Sequence, residues 1–149
     1  MTNYVLKNAQ IVNEGKIIAS DLRIVNGRID KIAPDITPAA GDVLLDLSGK
    51  HIFPGMIDDQ VHFREPGLTH KATIASEARA AVAGGVTSFM EMPNTVPNAL
   101  TQALLADKYA IAAAGSLANY SFFMGAGNDN LEEVLKTNSR DVCGIKIFM

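Results

Sequence analysis

The sequence lacks the features that mark several classes of protein. Its 149 residues include one cysteine, Cys143, so no internal disulfide bond can form and a cytoplasmic location is expected. The formal net charge is −3, without the basic excess that suggests nucleic acid or an anionic membrane as a partner. No apolar run approaches the roughly 18 residues of a membrane span, and the first residues, MTNYVLKNAQ, do not resemble a signal peptide. With a hydrophobic fraction of 48%, these absences indicate a soluble globular protein.

Short alternating runs in the first fifty residues predict β-strands. The dipeptide Asn26-Gly27 separates two of these runs and is a strong signal for a β-hairpin, because both residues tolerate positive φ. Another strand is predicted at 43–47, after a loop at 34–41. No cluster of side chains suited to catalysis occurs in this segment, so a structural role is predicted for it.

From residue 51 the pattern changes to an alternation of strands and helices, which is typical of a parallel sheet or barrel. Four strands are predicted, at 52–57, 86–92, 119–124 and 143–149. Three helices are predicted, at 71–83, 101–114 and 130–137, the last of them capped by Asn128 or Asp129. Active-site groups are expected at the C-terminal ends of such strands.

One stretch, residues 54–67, contains most of the candidate functional residues. It reads PGMIDDQVHFREPG. Strand alternation would place Gln60, His62 and Arg64 on the same face. An amide, an imidazole and a guanidinium directed at one place are typical of a binding site rather than of a hydrophobic core.

This stretch resembles the metal-binding signature of the cyclic amidohydrolases, and most closely that of the dihydroorotases. In that family the first barrel strand ends in Asp-x-His-x-His-x-Arg, and both histidines bind zinc. Here His62 matches the second histidine, and Gln60 stands at the position of the first. Three interpretations of Gln60 remain open: fewer protein ligands on one metal, binding through the amide carbonyl, or a homologue that has lost catalysis.

The resemblance also implies roles for three further residues. Arg64 and Asn94, the latter in the sequence EMPNT, would bind the carboxylate of dihydroorotate, whereas a lone arginine by default forms a surface ion pair. Lys146, in the sequence GIKIFM, would be carboxylated by CO₂ and bridge two metals, the alternative being a lysine that reaches solvent at the strand end. Relatives that act on hydantoins or dihydropyrimidines do not need both Arg64 and Asn94, so this pair favours a dihydroorotase.

The fold implied by the resemblance is α/β. A small β-sandwich segment, residues 1–50, would precede the first half of a (β/α)₈ TIM barrel, residues 51–149, with about four strands. The catalytic aspartate and further histidine ligands of the family would lie outside this chain. We therefore expect an N-terminal fragment that is inactive alone, and that self-associates or joins a larger assembly because its sheet has two open edges.

The activity implied for the whole protein is the zinc-dependent interconversion of dihydroorotate and N-carbamoyl-L-aspartate in pyrimidine biosynthesis, with one or two zinc ions. A homo-oligomer is expected, and a carbamoyltransferase is a further candidate partner. Two alternatives remain open. One is an allantoinase or hydantoinase, and the other is a non-catalytic scaffold subunit in which Gln60 marks the lost chemistry.

Overall fold

The chain forms two structural units, Met1–Pro54 and Gly55–Met149, in a computed structural model that describes all 149 residues. Each unit has its own cluster of buried apolar side chains. None of the helices combines the length and the apolar character that crossing a membrane would require.

The first unit is a five-stranded sheet. Its strands are β1 (Tyr4–Asn13), β2 (Lys16–Val25), β3 (Arg28–Ala33), β4 (Val43–Asp46) and β5 (His51–Ile52). The first three form antiparallel hairpins in the order β3-β2-β1, while β4 and β5 pair in parallel with β1. Asn26 and Gly27, at φ 52° and 74°, connect β2 to β3, so the predicted hairpin is confirmed.

The first unit contains one sheet, and this corrects the prediction of a β-sandwich in this segment. All five strands belong to a single hydrogen-bonded layer, because β1 pairs with β2 on one side and with β4 and β5 on the other. Ala9, Ile11 and Leu22 form its buried cluster. Ile29 and Leu44 are more than half exposed, at 65% and 56%, as expected for a layer that is not covered on every face by a second sheet.

The second unit is a four-stranded parallel sheet with helices between successive strands. Its strands are β6 (Met56–Val61), β7 (Val86–Glu91), β8 (Asn119–Ala126) and β9 (Gly144–Ile147), in the order β6-β7-β8-β9. Its helices are α1 (Ile74–Ala83), α2 (Gln102–Gly115) and α3 (Leu131–Leu135). The predicted alternation of strands and helices is thus confirmed. Phe63, Ile74, Phe89 and Phe122 are among the side chains of its core.

Side chains that satisfy free N–H groups define where the helices begin. The Thr73 hydroxyl accepts the N–H of Ser76, and the Ser76 hydroxyl accepts the N–H of Thr73, which forms a capping box at α1. Thr101 caps α2 by accepting the N–H of Leu104. Helix α3 begins after Asn130, so the predicted cap at Asn128 or Asp129 is wrong by one or two positions.

The predicted boundaries of the strand before the candidate site are wrong. The prediction was 52–57, but Ile52 pairs in the sheet of the first unit, and β6 begins only at Met56. Strand β6 continues to Val61. Arg64 lies beyond its end and has a left-handed backbone with φ 73°. The face that Gln60 and His62 were predicted to share with Arg64 does not extend to the arginine.

A buried carboxylate, that of Asp21, supports the first unit. Asp21 is 2% exposed, accepts the N–H groups of Asn8 and Ile36 at 2.9 Å each, and pairs with Lys7. Burial acts to raise the pKa of Asp21, but the Lys7 ammonium and the two N–H groups outweigh it and hold the pKa below its ordinary value. The folded unit thus favours the ionised carboxylate.

We expect Asp21→Asn to destabilise this unit by about 2 kcal/mol, because buried N–H groups and Lys7 lose their charged acceptor. Since folding lowers the pKa of Asp21, the wild-type advantage is fully present above the unfolded value near 3.8 and is lost as the pH falls through the folded value. Urea unfolding at about pH 7 and about pH 3 measures this difference. Asp35→Asn is the matched control, because Asp35 contacts the same Lys7 with its side chain 82% exposed. Equal losses in the two variants would contradict the assignment.

Candidate active site

The candidate residues lie at the C-terminal edge of the parallel sheet in the second unit. His62 and Arg64 follow β6, Asn94 follows β7, and Lys146 lies in β9. The C-terminal ends of parallel strands meet at one edge of the sheet, where the following loops can place side chains close together.

His62 and Asn94 contact each other directly. Nδ1 of His62 lies 2.8 Å from Oδ1 of Asn94, and both residues are half-buried. An amide oxygen only accepts hydrogen bonds, so this contact requires a hydrogen on Nδ1 of His62, and the neutral tautomer that satisfies it is the one with its lone pair on Nε2. A partner at one ring nitrogen that fixes the tautomer is the usual support for a histidine that acts through its other nitrogen.

Backbone contacts hold the loops after β6 and β7 against each other. The N–H of Met92 donates to the carbonyl of Val61 at 3.0 Å, and the N–H of Val96 donates to the carbonyl of Pro66 at 3.1 Å. Gly67 has φ 81°, and a Cβ atom there would lie 2.0 Å from the Val96 carbonyl oxygen. Only glycine therefore permits this approach of the two loops.

Arg64 has a guanidinium without an ionic partner. Its side chain is half-buried, and the salt bridges of the chain all involve other residues. The alternative of a surface ion pair is therefore not what the structure contains, and the N–H donors of Arg64 are free to bind an anion. Left-handed backbone conformations of residues other than glycine are uncommon and concentrate at functional sites.

A small cavity of about 180 Å³ lies where β7, β8 and β9 end, and Asn94, Gly125 and Lys146 are among its lining residues. The ammonium group of Lys146 lies 5.2 Å from the ring centre of Phe148, a distance typical of a cation–π contact. The amide nitrogen of Asn94 makes no hydrogen bond within the chain and remains a free donor. The cavity is smaller than a complete ligand site, which takes about 300 Å³ or more, so it represents one part of a site.

A larger hollow, of about 650 Å³, lies away from the candidate residues. Tyr109, Tyr120 and Arg140 are among the residues of α2, β8 and the segment before β9 that line it. It contains none of the residues that the sequence predicted for the site. We therefore place the candidate active site at the strand ends and not in this larger hollow.

Gln60 is exposed near the end of β6, where its N–H donates to the Asp58 carboxylate at 3.1 Å. No group of three or more histidine, cysteine, aspartate or glutamate side chains is arranged to bind a metal ion. A zinc site takes three or four protein ligands, and this chain contributes the imidazole of His62 at this edge. The residues present therefore do not complete a zinc site by themselves, and the metal-ligand roles of His62, Lys146 and Gln60 stay predictions.

A buried ion pair that the sequence pattern did not predict lies close to these loops. The ammonium nitrogen of Lys108, in α2, lies 2.8 Å from Oε2 of Glu91, and both side chains are 1% exposed. Burial raises the pKa of Glu91 and lowers that of Lys108, while their mutual attraction opposes both shifts. A signal was present in the sequence, because Leu105, Lys108 and Ala112 share the buried face of α2 at helical spacing.

Comparison with known proteins identifies relatives of the chain. Residues 49–120 match the family model described as Dihydro-orotase-like. An allantoinase of Solibacter usitatus is 35% identical over 150 residues, which cover 100% of this chain and 32% of that protein. A dihydroorotase of Bacillus thuringiensis is 48% identical over 96 residues, which cover 64% of this chain and 22% of that protein. The chain thus spans about a third or less of the length of these curated relatives.

Solved structures share the fold of this chain. The L-hydantoinase from Arthrobacter aurescens matches with a TM-score of 0.85 and 26% identity, over 97% of this chain and 32% of the hydantoinase chain. A D-hydantoinase matches with a TM-score of 0.83 and 25% identity, over 99% of this chain and 33% of its own. The mixed α/β architecture described above is therefore one that hydantoinases contain.

We expect the Asn94→Ala variant to lose the fixed tautomer of His62, because the alanine removes the acceptor at Nδ1. Nitrogen NMR of the histidine-labelled chain, at a pH where the rings are neutral, should show a protonated Nδ1 in wild-type His62 and a mixture of tautomers in the variant. The exposed His51 and His70 serve as internal controls and should not change. A wild-type His62 with its hydrogen on Nε2 would contradict the assigned contact.

Proposed function

We propose that this chain, which belongs to the cyclic amidohydrolase superfamily, is part of a dihydroorotase that interconverts dihydroorotate and N-carbamoyl-L-aspartate. The observation that carries the proposal is the free guanidinium of Arg64 on one site loop, together with Asn94 on the neighbouring loop. The His62–Asn94 contact and the backbone bonds between β6 and β7 hold these two loops together.

A ring that bears a carboxylate is the ligand that we propose for this pair of residues. Arg64 offers a planar set of N–H donors that suits a carboxylate in a bidentate arrangement. Asn94 adds a neutral donor, because its oxygen contacts His62 while its nitrogen is free. Arg64 and Asn94 would then orient the ring of dihydroorotate, whereas a hydantoin ring has no carboxylate for them to bind.

Zinc is part of this proposal, although the residues of this chain do not complete a zinc site. His62 is the proposed imidazole ligand, Lys146 a ligand in carboxylated form, and Gln60 occupies an altered ligand position. The remaining ligands and the catalytic aspartate would have to come from outside these 149 residues. We expect one or two zinc ions in the whole protein.

We further propose that the second unit is the first half of a (β/α)₈ barrel. Its four parallel strands alternate with helices, and both edge strands, β6 and β9, have one unpaired side. The apolar side chains of Ile57 in β6, Ile147 in β9 and Phe148 directly after β9 are more than half exposed, which supports a larger assembly. A cytoplasmic homo-oligomer, with a carbamoyltransferase as a further candidate partner, is the form that we propose for the whole protein.

An allantoinase or hydantoinase is the second candidate. Similarity to an allantoinase over the whole chain favours it, as does the shared fold with hydantoinase structures. A non-catalytic scaffold subunit is the third candidate, and the glutamine at position 60 favours it because an amide is a weaker zinc ligand than an imidazole.

Substrate turnover by the full-length protein separates these candidates. We expect turnover of N-carbamoyl-L-aspartate and dihydroorotate, and an increase of about 100-fold in KM for dihydroorotate in Arg64→Met, because the substrate carboxylate loses its charged partner. Arg79→Met is the matched control, since Arg79 is an exposed arginine of α1 whose side chain hydrogen-bonds the carbonyl of Ala75 within its own helix. Turnover of allantoin or hydantoin without dihydroorotate would support the second candidate, and no turnover of any of them would support the scaffold.

Elemental analysis of the full-length protein, beside its Gln60→His variant, tests the proposed metal. We expect about one zinc per chain in the wild type and a second zinc in the variant, because imidazole binds zinc better than an amide. Wild-type protein that contains no zinc and does not turn over dihydroorotate would contradict both the metal and the mechanism.

A further inference from the structure

The buried pair of Glu91 and Lys108 has no place in the function proposed above, although it lies next to the site loops. Glu91 is the last residue of β7 and Lys108 lies in the middle of α2. Removing two charges from water costs so much free energy that apolar residues of similar size often serve stability as well or better. Stability alone therefore does not account for this pair, whereas both of its members contact the backbone of the loops after β6 and β7.

Glu91 binds the backbone of the loop that follows β6. Its Oε1 atom accepts the N–H of Phe63 at 3.2 Å, and the N–H of Arg64 faces the same carboxylate. Successive N–H groups converge on one anion, in an arrangement called a nest, when the chain includes a left-handed residue. Arg64 has the left-handed φ of 73° that such an arrangement needs. The Glu91 carboxylate thus stabilises the turn from which the Arg64 side chain departs.

Lys108 forms an ion pair with the second oxygen of the Glu91 carboxylate, the one that does not bind Phe63. Its ammonium nitrogen lies 2.8 Å from Oε2 of Glu91, an atom with no other polar partner, and donates to the carbonyl of Met92 at 3.0 Å. The ring centre of Phe122 lies 5.1 Å away, within cation–π distance. Because the N–H of Met92 bonds the carbonyl of Val61, Lys108 also supports the backbone that leads from β7 to Asn94.

We infer that Glu91 and Lys108 are positioning residues, which set the backbone of residues 62–64 and thereby the placement of the Arg64 guanidinium for a carboxylate ligand. They act through the backbone of Phe63, Arg64 and Met92 and do not contact the ligand. The identity of the ligand rests on the proposed function. The effect of Glu91 and Lys108 on the loop backbone does not depend on the proposed function. The ligand and the effect on the backbone can therefore be tested separately.

The test uses full-length protein with two alterations of the pair. Glu91→Gln preserves the shape of the side chain and one acceptor but removes the charge that faces Lys108. The double variant Glu91→Leu, Lys108→Met removes both charges, so that neither is left buried without its partner. Lys136→Met is the matched control, because Lys136 pairs with Glu133 through a side chain that is 60% exposed.

Amide hydrogen exchange of the peptide that contains residues 61–68 reports on the loop. At a temperature where each variant is folded, we expect the protection of these amides against exchange to fall about tenfold or more in Glu91→Gln and in the double variant. We expect no change in Lys136→Met. The KM for dihydroorotate should rise by about tenfold or more, with a smaller change in kcat, because a misplaced guanidinium weakens ligand binding. A purely structural pair would lower the unfolding temperature without changing the exchange of this peptide or KM.

Each outcome decides the inference. Unchanged loop protection in folded variants would overturn it, and so would unfolding of both variants, because a pair that the whole fold requires is not a local positioning device. If the wild type does not act on dihydroorotate, the proposed function fails. In that case, loss of protection confined to residues 61–68 would still support the control of the loop by Glu91 and Lys108.

Discussion

A carboxylate that is removed from water must be surrounded by donors, and Glu91 obtains them from parts of the chain that are distant in sequence. The N–H groups of Phe63 and Arg64 come from the loop after β6, and the ammonium of Lys108 comes from α2. An unpaired carboxylate at this depth would cost several kcal/mol, so the loop and the helix are both held to the end of β7. The geometry of the candidate site depends on this constraint.

The polar groups near this sheet edge divide into those that are paired and those that are free. The paired groups, Glu91 and Lys108 in the interior and the contact between His62 and Asn94, hold the loops in place. The guanidinium of Arg64 and the amide nitrogen of Asn94 are free, and they are the groups proposed to bind a substrate carboxylate. A loop backbone that is already held loses little conformational freedom when a ligand binds to the side chains it carries, which is the physical advantage of this division.

Each of the two units contains a buried carboxylate that accepts a backbone N–H group. In the first unit the buried carboxylate of Asp21 accepts the N–H of Asn8, which has φ 60°, at an irregularity in β1. In the second unit Glu91 accepts the N–H of Phe63, the residue before Arg64, which has φ 73°. In each case a buried carboxylate with a cationic partner accepts a backbone N–H at or next to a left-handed residue. The first turn shapes a sheet, whereas the second places a functional side chain.

The sequence by itself determined what depends on local pattern: the Asn26-Gly27 hairpin, the alternation of strands and helices after residue 51, and the motif around His62. These features follow from backbone preferences and periodicity over a few residues. Only the tertiary structure decided that β6 ends before Arg64, that the first unit is a single sheet, and that Lys108 pairs with Glu91. Strand pairing and the burial of a charge depend on which distant segments meet, and the free energy of a buried charge exists only once its neighbours are in place.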